Sequence, residues 1–255
     1  MALLTDGSPN DTAALQVYEM GILDVAATEK IDLGAKLGLA TEEISEDVLN
    51  ILLDHAGRSD PQSTMRRAIG VSDVVVTAQM KRWHALHTLE IVYRDAFSNQ
   101  LNDRYGVKVR EYQDLSRQAR DVAIKFGIGL VNAPIPKAQA PVLSTTAGAG
   151  QATTYYVEVS WVSALGEEGA PSDVTALTTA DGTVLVVSPA NPPAGATGFK
   201  VYAGVSADKL ALQTPGAIPA GESFTLTGAL AAGAAPGNGQ TPDTYIIGGP
   251  TLRRG

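Results

Sequence analysis

The stretch YYVEVSWVSALGEEGAPS, residues 155–172, decides the fold of half the chain. Tyr155, Val157, Val159 and Trp161 alternate with Tyr156, Glu158 and Ser160. A period of two places the first set on one face of a strand and the second on the other. One face is bulky and apolar and the other mixed, the pattern of a strand with one side on a core. Gly166-Glu167-Glu168-Gly169 reads as the turn that follows.

The same texture continues toward the C-terminus. TVLVVS (183–188), FKVYAG (199–204), KLALQ (209–213) and SFTLTG (223–228) are short apolar runs separated by Gly and Pro. Six or seven such strands in about a hundred residues predict a β-sandwich. TYII, within the last sixteen residues, offers one more strand, to this domain or to a neighbour. GGPTLRRG reads as an extended end.

Toward the N-terminus the composition changes at NAPIPKAQAP (132–141). Three prolines fix φ and remove donors, so this stretch reads as a semi-rigid linker. Most of the charged residues lie before Ala133, where the period is helical. Asp11 or Thr12 caps a first predicted helix running through Leu15, Tyr18, Ile22 and Val25. Thr41 caps a second, TEEISEDVLNILLDHAG, with Ile44, Val48, Ile51 and Leu52 on one face and Gly57 as its stop. Its first two turns hold Glu42, Glu43, Glu46 and Asp47, where the helix dipole favours anions. Residues 58–62 read as a loop. Ser72 opens the longest pattern, through Trp83, Leu86, Leu89, Tyr93, Phe97 and Leu101. After a break at 102–106, Tyr112, Leu115, Ala119, Val122 and Phe126 form the stripe of a last helix, with Gly127 as its C-cap. Two long helices around a short turn predict an antiparallel hairpin with the earlier helices packed on it.

The expected architecture is therefore α + β multidomain: a helical domain over 1–131, a linker over 132–141, a β-sandwich over 142–240 and an extended tail over 241–255. The 255 residues suffice for a core in each of two domains. The chain has no cysteine, which excludes disulfides, thiolate catalysis and Cys-ligated metals and suits a reducing cytoplasm. A formal net charge of -8 argues against sequence-independent binding of phosphate backbones. MALLTDGSPNDT lacks the basic region and apolar run of a signal peptide, and no run reaches the roughly 18 apolar residues of a membrane span.

Residues 155–172 resemble the aromatic-strand, Gly-Glu, Pro-Ser signature of fibronectin type III-like (Ig-like) modules. GATGFKVYAG (195–204) resembles their Val-Tyr strand. The likeness spans roughly 138–235. In an ordinary module the Val-Tyr strand comes first; here the order is reversed, which leaves the strand order open and is similar to modules in tailed-phage structural proteins. An acidic, Cys-free helical bundle ending in a long hairpin resembles, in turn, the head–tail connector (adaptor) proteins of tailed phages.

That resemblance implies a homo-oligomeric ring, of about twelve copies, joining the portal protein to a neck or tail terminator protein. It implies possible contacts with capsid, genomic DNA passing through the channel without specific binding, no membrane, and a place in the virion after assembly in the bacterial host cytoplasm. The expected partner-binding residues are in the tail: Tyr245, Ile246 and Ile247 by strand addition, Arg253 and Arg254 by pairing with acidic grooves. The rival reading is a tail-fibre, baseplate or surface-binding module recognising host or carbohydrate. A low aromatic content, 5%, speaks against sugar stacking.

The sequence supports no catalytic residue, cofactor site or metal site. His84-Ala-Leu-His87-Thr-Leu-Glu90 is the one metal-like spacing, but a closed site needs ligands from another helix, and His55 is far away in sequence. Solvated or core-edge histidines are the expectation. Gly148-Ala149-Gly150 lacks the Lys-Ser/Thr of a phosphate loop, and Gly-x-Ser-x-Gly is absent. Arg66, Arg67, Lys81, Arg82, Arg104, Lys108, Arg110, Arg117 and Arg120 read as ordinary surface cations, Arg117 pairing with Asp121.

Overall fold

The computed structural model describes residues 2–58, 69–99 and 103–247. The chain divides into two compact units. One comprises Leu4–Val131 and the chain from Pro242; the other comprises Asn132–Thr241, joined by residues 2–3. The second unit is thus an insertion within the first.

The helical unit holds α1 (Thr12–Tyr18), α2 (Ile22–Glu29), α3 (Leu33–Arg58), α4 (Ala78–Asn99) and α5 (Gly106–Phe126). Asp11 caps α1 by accepting from the Ala14 N–H at 2.8 Å. The single first helix expected from Leu15 to Val25 is two helices. Glu19, in extended conformation, ends α1, and Gly21 opens α2. The period survived the break because Leu15, Ile22 and Ala26 all face the core.

The expected start of the next helix at Thr41 is also corrected. Asp32 accepts from the Ala35 N–H at 3.1 Å, so α3 begins at Leu33. Thr41 lies inside it, its hydroxyl donating to the Leu37 carbonyl. The loop expected at 58–62 lies outside the described residues beyond Arg58. Likewise Ser72 opens no helix and lies in the middle of a 3-10 turn, Val71–Asp73; α4 starts after Thr77, whose hydroxyl accepts from the Met80 N–H.

α4 is the central helix. Met80, Trp83, Leu86, Leu89, Val92, Tyr93 and Ala96 are buried around its circumference. α5 returns antiparallel: Tyr93 stacks on Tyr112 at 5.2 Å between ring centroids, and His87 reaches Ser116 one turn further on. The α5 stripe differs from expectation. The buried face is Tyr112, Ser116, Ala119 and Ala123, while Val122 and Phe126 are 39% and 63% exposed. Gly127, at φ 102, caps α5 through its N–H to the Ala123 carbonyl.

β1 (Ile128–Leu130) leaves α5 and pairs antiparallel with β10 (Thr244–Ile246), Ile128 opposite Ile246. On its other side β1 meets Val74 and Val75, and the Leu4 N–H reaches the Val74 carbonyl. Ile128, Leu130, Val74 and Ile246 are all buried in the helical core.

The inserted unit is an antiparallel β-sheet region. Its strands are β2 (Val142–Ala147), β3 (Thr153–Ser163), β4 (Thr175–Thr179), β5 (Thr183–Ser188), β6 (Ala196–Gly204), β7 (Ala211–Leu212), β8 (Ile218–Pro219) and β9 (Phe224–Thr225). One sheet runs β2-β5-β9; the other runs β4-β3-β6-β7, with β8 also on β6. Of the expected core face, Val157, Val159 and Trp161 are buried and Tyr155 half-buried, and Trp161 meets Phe199 edge-on at 6.1 Å; Ser160, on the opposite face, is buried as well. β5 gives Leu185 and Val187 to the same core.

Residues 132–141, expected as a linker, are extended as the prolines dictate, and they join this core. Ile135 and Ala138 are buried in it. Gly169 has a packing reason: a Cβ there would sit 2.7 Å from Ile135 Cγ2. Gly148 and Gly150 are explained likewise, bonding Gly182 on both sides of a tight turn.

Candidate functional site

Three polar clusters lie inside the helical unit, and each ties elements together. The first surrounds His84, which is fully buried rather than at a core edge. Asn10 Nδ2 donates to its Nδ1 at 3.0 Å, so the proton sits on Nε2, which faces the Leu37 carbonyl at 3.1 Å and Thr41 Oγ at 3.0 Å. Burial, with the repulsion of His87, pushes its pKa down to about 4 against the Leu37 hydrogen bond. His84 is therefore a neutral staple between α3, α4 and the segment before α1.

One turn on, His87 lies in a cleft of about 550 Å³ between α3, α4 and α5. Its Nε2 is 2.6 Å from Glu43 Oε2; its Nδ1 is 3.3 Å from Glu90 Oε2 and 3.2 Å from Ser116 Oγ. Burial alone would lower its pKa, but the hydrogen bonds and charges of Glu90 and Glu43 outweigh it and raise the pKa. Glu90 moves the other way: burial raises it, and His87, Ser116 and Arg94 bring it below its ordinary value. Arg120 bonds Asp47 at 2.8 Å on the rim.

The two carboxylates occupy opposite nitrogens of one ring, so they do not converge on a point where an ion would sit. Among the described residues no group of three or more His, Asp or Glu is arranged to hold a metal ion. His55, on α3, is exposed. The cleft places the Ser116 hydroxyl beside the His87 ring; Glu43 and Glu90 are engaged with that ring and Asp47 with Arg120, while Glu46 lines the cleft without an ion pair among the described residues.

The third cluster centres on Glu19, at the corner between α1 and α2. Its Oε2 accepts from Lys108 Nζ and from the Tyr112 hydroxyl, both at 2.7 Å. Burial opposes ionisation, and these two donors overcome it, holding the carboxyl below its usual range. The Tyr112 hydroxyl is pushed up by burial and by the Glu19 carboxylate. Beside it, a surface cleft of about 390 Å³ is lined in part by Tyr18, Met20, Arg82 and Leu115.

The sheet unit has one counterpart. Glu168 accepts from Ser160 and Tyr202 at 2.5 Å and from Lys200 at 2.7 Å. Burial raises its pKa, and the three donors more than reverse that. Ser160 and Lys200 are register partners on β3 and β6, so both side chains reach the one carboxylate and donate to it.

The tail residues are placed as follows. Ile246 is buried against β1, 6% exposed; Tyr245 and Ile247 are 54% and 63% exposed. Glycines shape the receiving strand: a Cβ on Gly129 would lie 2.7 Å from Pro242 Cγ, and one on Gly127 3.2 Å from the Ile246 carbonyl oxygen. Arg253 and Arg254 lie outside the described residues, as do Arg66 and Arg67. Arg117 pairs with Asp114 at 3.2 Å, not with Asp121.

Sequence reading found His84, His87 and Glu90 but missed Glu19, Glu43, Ser116 and Glu168 as their partners or counterparts. The pairings span dozens of residues, and no local spacing encodes them. No described helix is long and apolar enough to cross a membrane. No protein-family model and no curated protein matches the chain.

Proposed function

We propose that this chain is a non-catalytic virion component, a head–tail connector (adaptor) subunit that forms a ring with copies of itself and joins the portal protein to the neck or tail terminator. The observation that carries this reading is the distribution of apolar surface on the helical unit. Val17, Met20, Leu53, Val107 and Phe126 are each more than half exposed, at 83%, 87%, 60%, 77% and 63%. Where such side chains gather, as Val17, Tyr18, Met20 and Leu23 do within seven residues, the patch marks a surface that another molecule covers. The buried ionisable groups His84, His87 and Glu19, by contrast, are engaged in staples between helices.

Two further features support the reading. The inserted unit has a three-strand and a four-strand sheet with a side strand around one core, which suits a β-sandwich of the fibronectin type III or Ig-like type. In this reading it is a peripheral appendage that contacts capsid or neck. The net charge of -8 suits a channel through which DNA slides without sticking. The exposed Tyr245 and Ile247, with Arg253 and Arg254 beyond, are the proposed contact to the portal.

The test is imaging and mass measurement of the purified chain alone and mixed with a portal ring. Closed rings, or binding to the portal in integral ring stoichiometry, is the expected result. A chain that stays monomeric, ignores the portal and binds glycans instead would replace this reading with the surface-binding one. Truncation after Ile247 should abolish portal docking and leave the helical content unchanged; docking by the truncated chain would remove the arginines from the contact.

A further inference from the structure

The connector reading requires two different surfaces on each copy, because a ring closes through head-to-tail contacts. We infer that these are the outer stripe of α3 and the corner between α1 and α2, and that a second copy of this chain joins one to the other. The inference rests on the ring reading and names its contact.

On α3, Glu42, Glu46, Leu49 and Leu53 follow one another at spacings of four, three and four, so they share one helix face. All four are exposed, Leu49 at 40% and Leu53 at 60%. The stripe is acidic toward the helix N-terminus and apolar toward its C-terminus. At the α1–α2 corner Val17, Tyr18, Met20 and Leu23 are exposed within seven residues, at 83%, 43%, 87% and 42%. Arg82 of α4 lines the same cleft as Tyr18 and Met20, and its neighbour Lys81 is exposed too.

The two surfaces are complementary in both respects. Each is apolar with a charged margin, and the charges left unpaired there carry opposite signs: Glu42 and Glu46 on the stripe, Lys81 and Arg82 at the corner, where Glu19 and Glu111 of the same cleft both pair with Lys108. None of Glu42, Glu46, Lys81 or Arg82 makes an ion pair among the described residues, although Glu43, Asp47 and Lys108 beside them do. Apolar burial supplies the affinity of such a contact; opposite charges fix which surface meets which and suppress like-with-like pairing. The corner is also held rigid by Glu19, Lys108 and Tyr112, and a preorganised patch loses little freedom on binding.

The absence of cysteine makes the test clean. Chains carrying Met20→Cys and chains carrying Leu49→Cys are mixed at high concentration under mild oxidation. Mixed disulfide dimers should exceed either self-pair at least about tenfold. Glu46→Arg or Arg82→Glu alone should cut that yield about tenfold, and combining Glu46→Arg on one chain with Arg82→Glu on the other should restore it. Equal yields of mixed and self-pairs, or no restoration by the reciprocal swap, would overturn the inference. Imaging of the wild-type chain with its portal reads the ring itself: rings without the Met20–Leu49 crosslink sink this contact and leave the connector reading standing, whereas the absence of rings sinks the reading.

Discussion

The two units solve the same problem with different materials. The sheet unit is held by apolar interdigitation between two sheets, with Val157, Trp161, Leu185 and Phe199 essentially dry. It has no histidine, and one carboxylate network on Glu168. The helical unit contains all three histidines, and it sets charged and polar staples between its helices at His84, His87 and Glu19. Backbone ladders bind strands to one another without side chains, whereas helices meet only through side chains. A helical unit must therefore spend side-chain chemistry on orientation, and its histidines add a pH response of a kind the sheet unit, with Glu168 alone, does not have.

Replacing Trp161 with Ala attacks the contrast at its strongest point. A large, dry core side chain lost from the sheet unit should cost about 3–5 kcal/mol. Calorimetry should show the sheet transition lost or far lowered while the helical dichroism persists. Joint melting of both units would break the comparison.

The pH response comes next, and its sign follows from the two histidines. His84 is lowered to about 4 in the folded chain. The unfolded chain therefore takes up its proton first, and stability falls as pH drops from about 6.5 toward 4, by a total of about 3 kcal/mol. His87 is raised, so its contribution is complete below the unfolded value and is lost as pH climbs through the folded one. The helical unit should be most stable between the two, and denaturant melts across pH should show a maximum there. In the His87→Gln variant the loss on the alkaline side should vanish while that on the acid side remains. A sheet transition with the same pH profile would contradict the contrast.

Smaller effects sharpen it. Gln240→Ala removes the acceptor of the Ile135 N–H and the donor to the Ala133 carbonyl and Glu167. Unmet buried groups of this kind cost about 1–3 kcal/mol, and the loss should appear in the sheet transition with faster amide exchange at Ile135. Gly129→Ala pushes Pro242 away from β1; protease nicking between 241 and 247 should rise several-fold while the sheet unit stays protected.

Much of this contrast was legible in the residues themselves. The strands β3 and β5 announce themselves because a half-buried strand alternates, as Val157 and Val159 or Leu185 and Val187 do, and Gly127 marks the end of α5 because only glycine takes its positive φ without strain. The helix starts were less legible. Thr41 with its following acids imitates a cap, while the real cap, Asp32, is followed by Gly34 and Gly38, which weaken the helical signal. The α5 stripe misled because Ser116, a polar residue, is turned inward to meet His87. Of the polar clusters, only the His84-x-x-His87-x-x-Glu90 spacing lies close in sequence; Glu43 and Glu19 reach their partners over 44 and 89 residues.

The clip made by Gln240 bears on how the chain is built at the ribosome. The helical unit is left without its last strand until the whole insertion has been synthesised, since Ile128 must find Ile246. Once the inserted unit has folded, however, the Gln240 side chain holds its exit against its entrance at Ala133 and Ile135. An excursion of roughly a hundred residues then behaves like a short turn, which lowers the entropy of closing β10 onto β1 by about 2 kcal/mol. The inserted unit thus delivers β10 to the strand it pairs with, and a chain cut short before β10 leaves Ile128 and Leu130 without their partner strand.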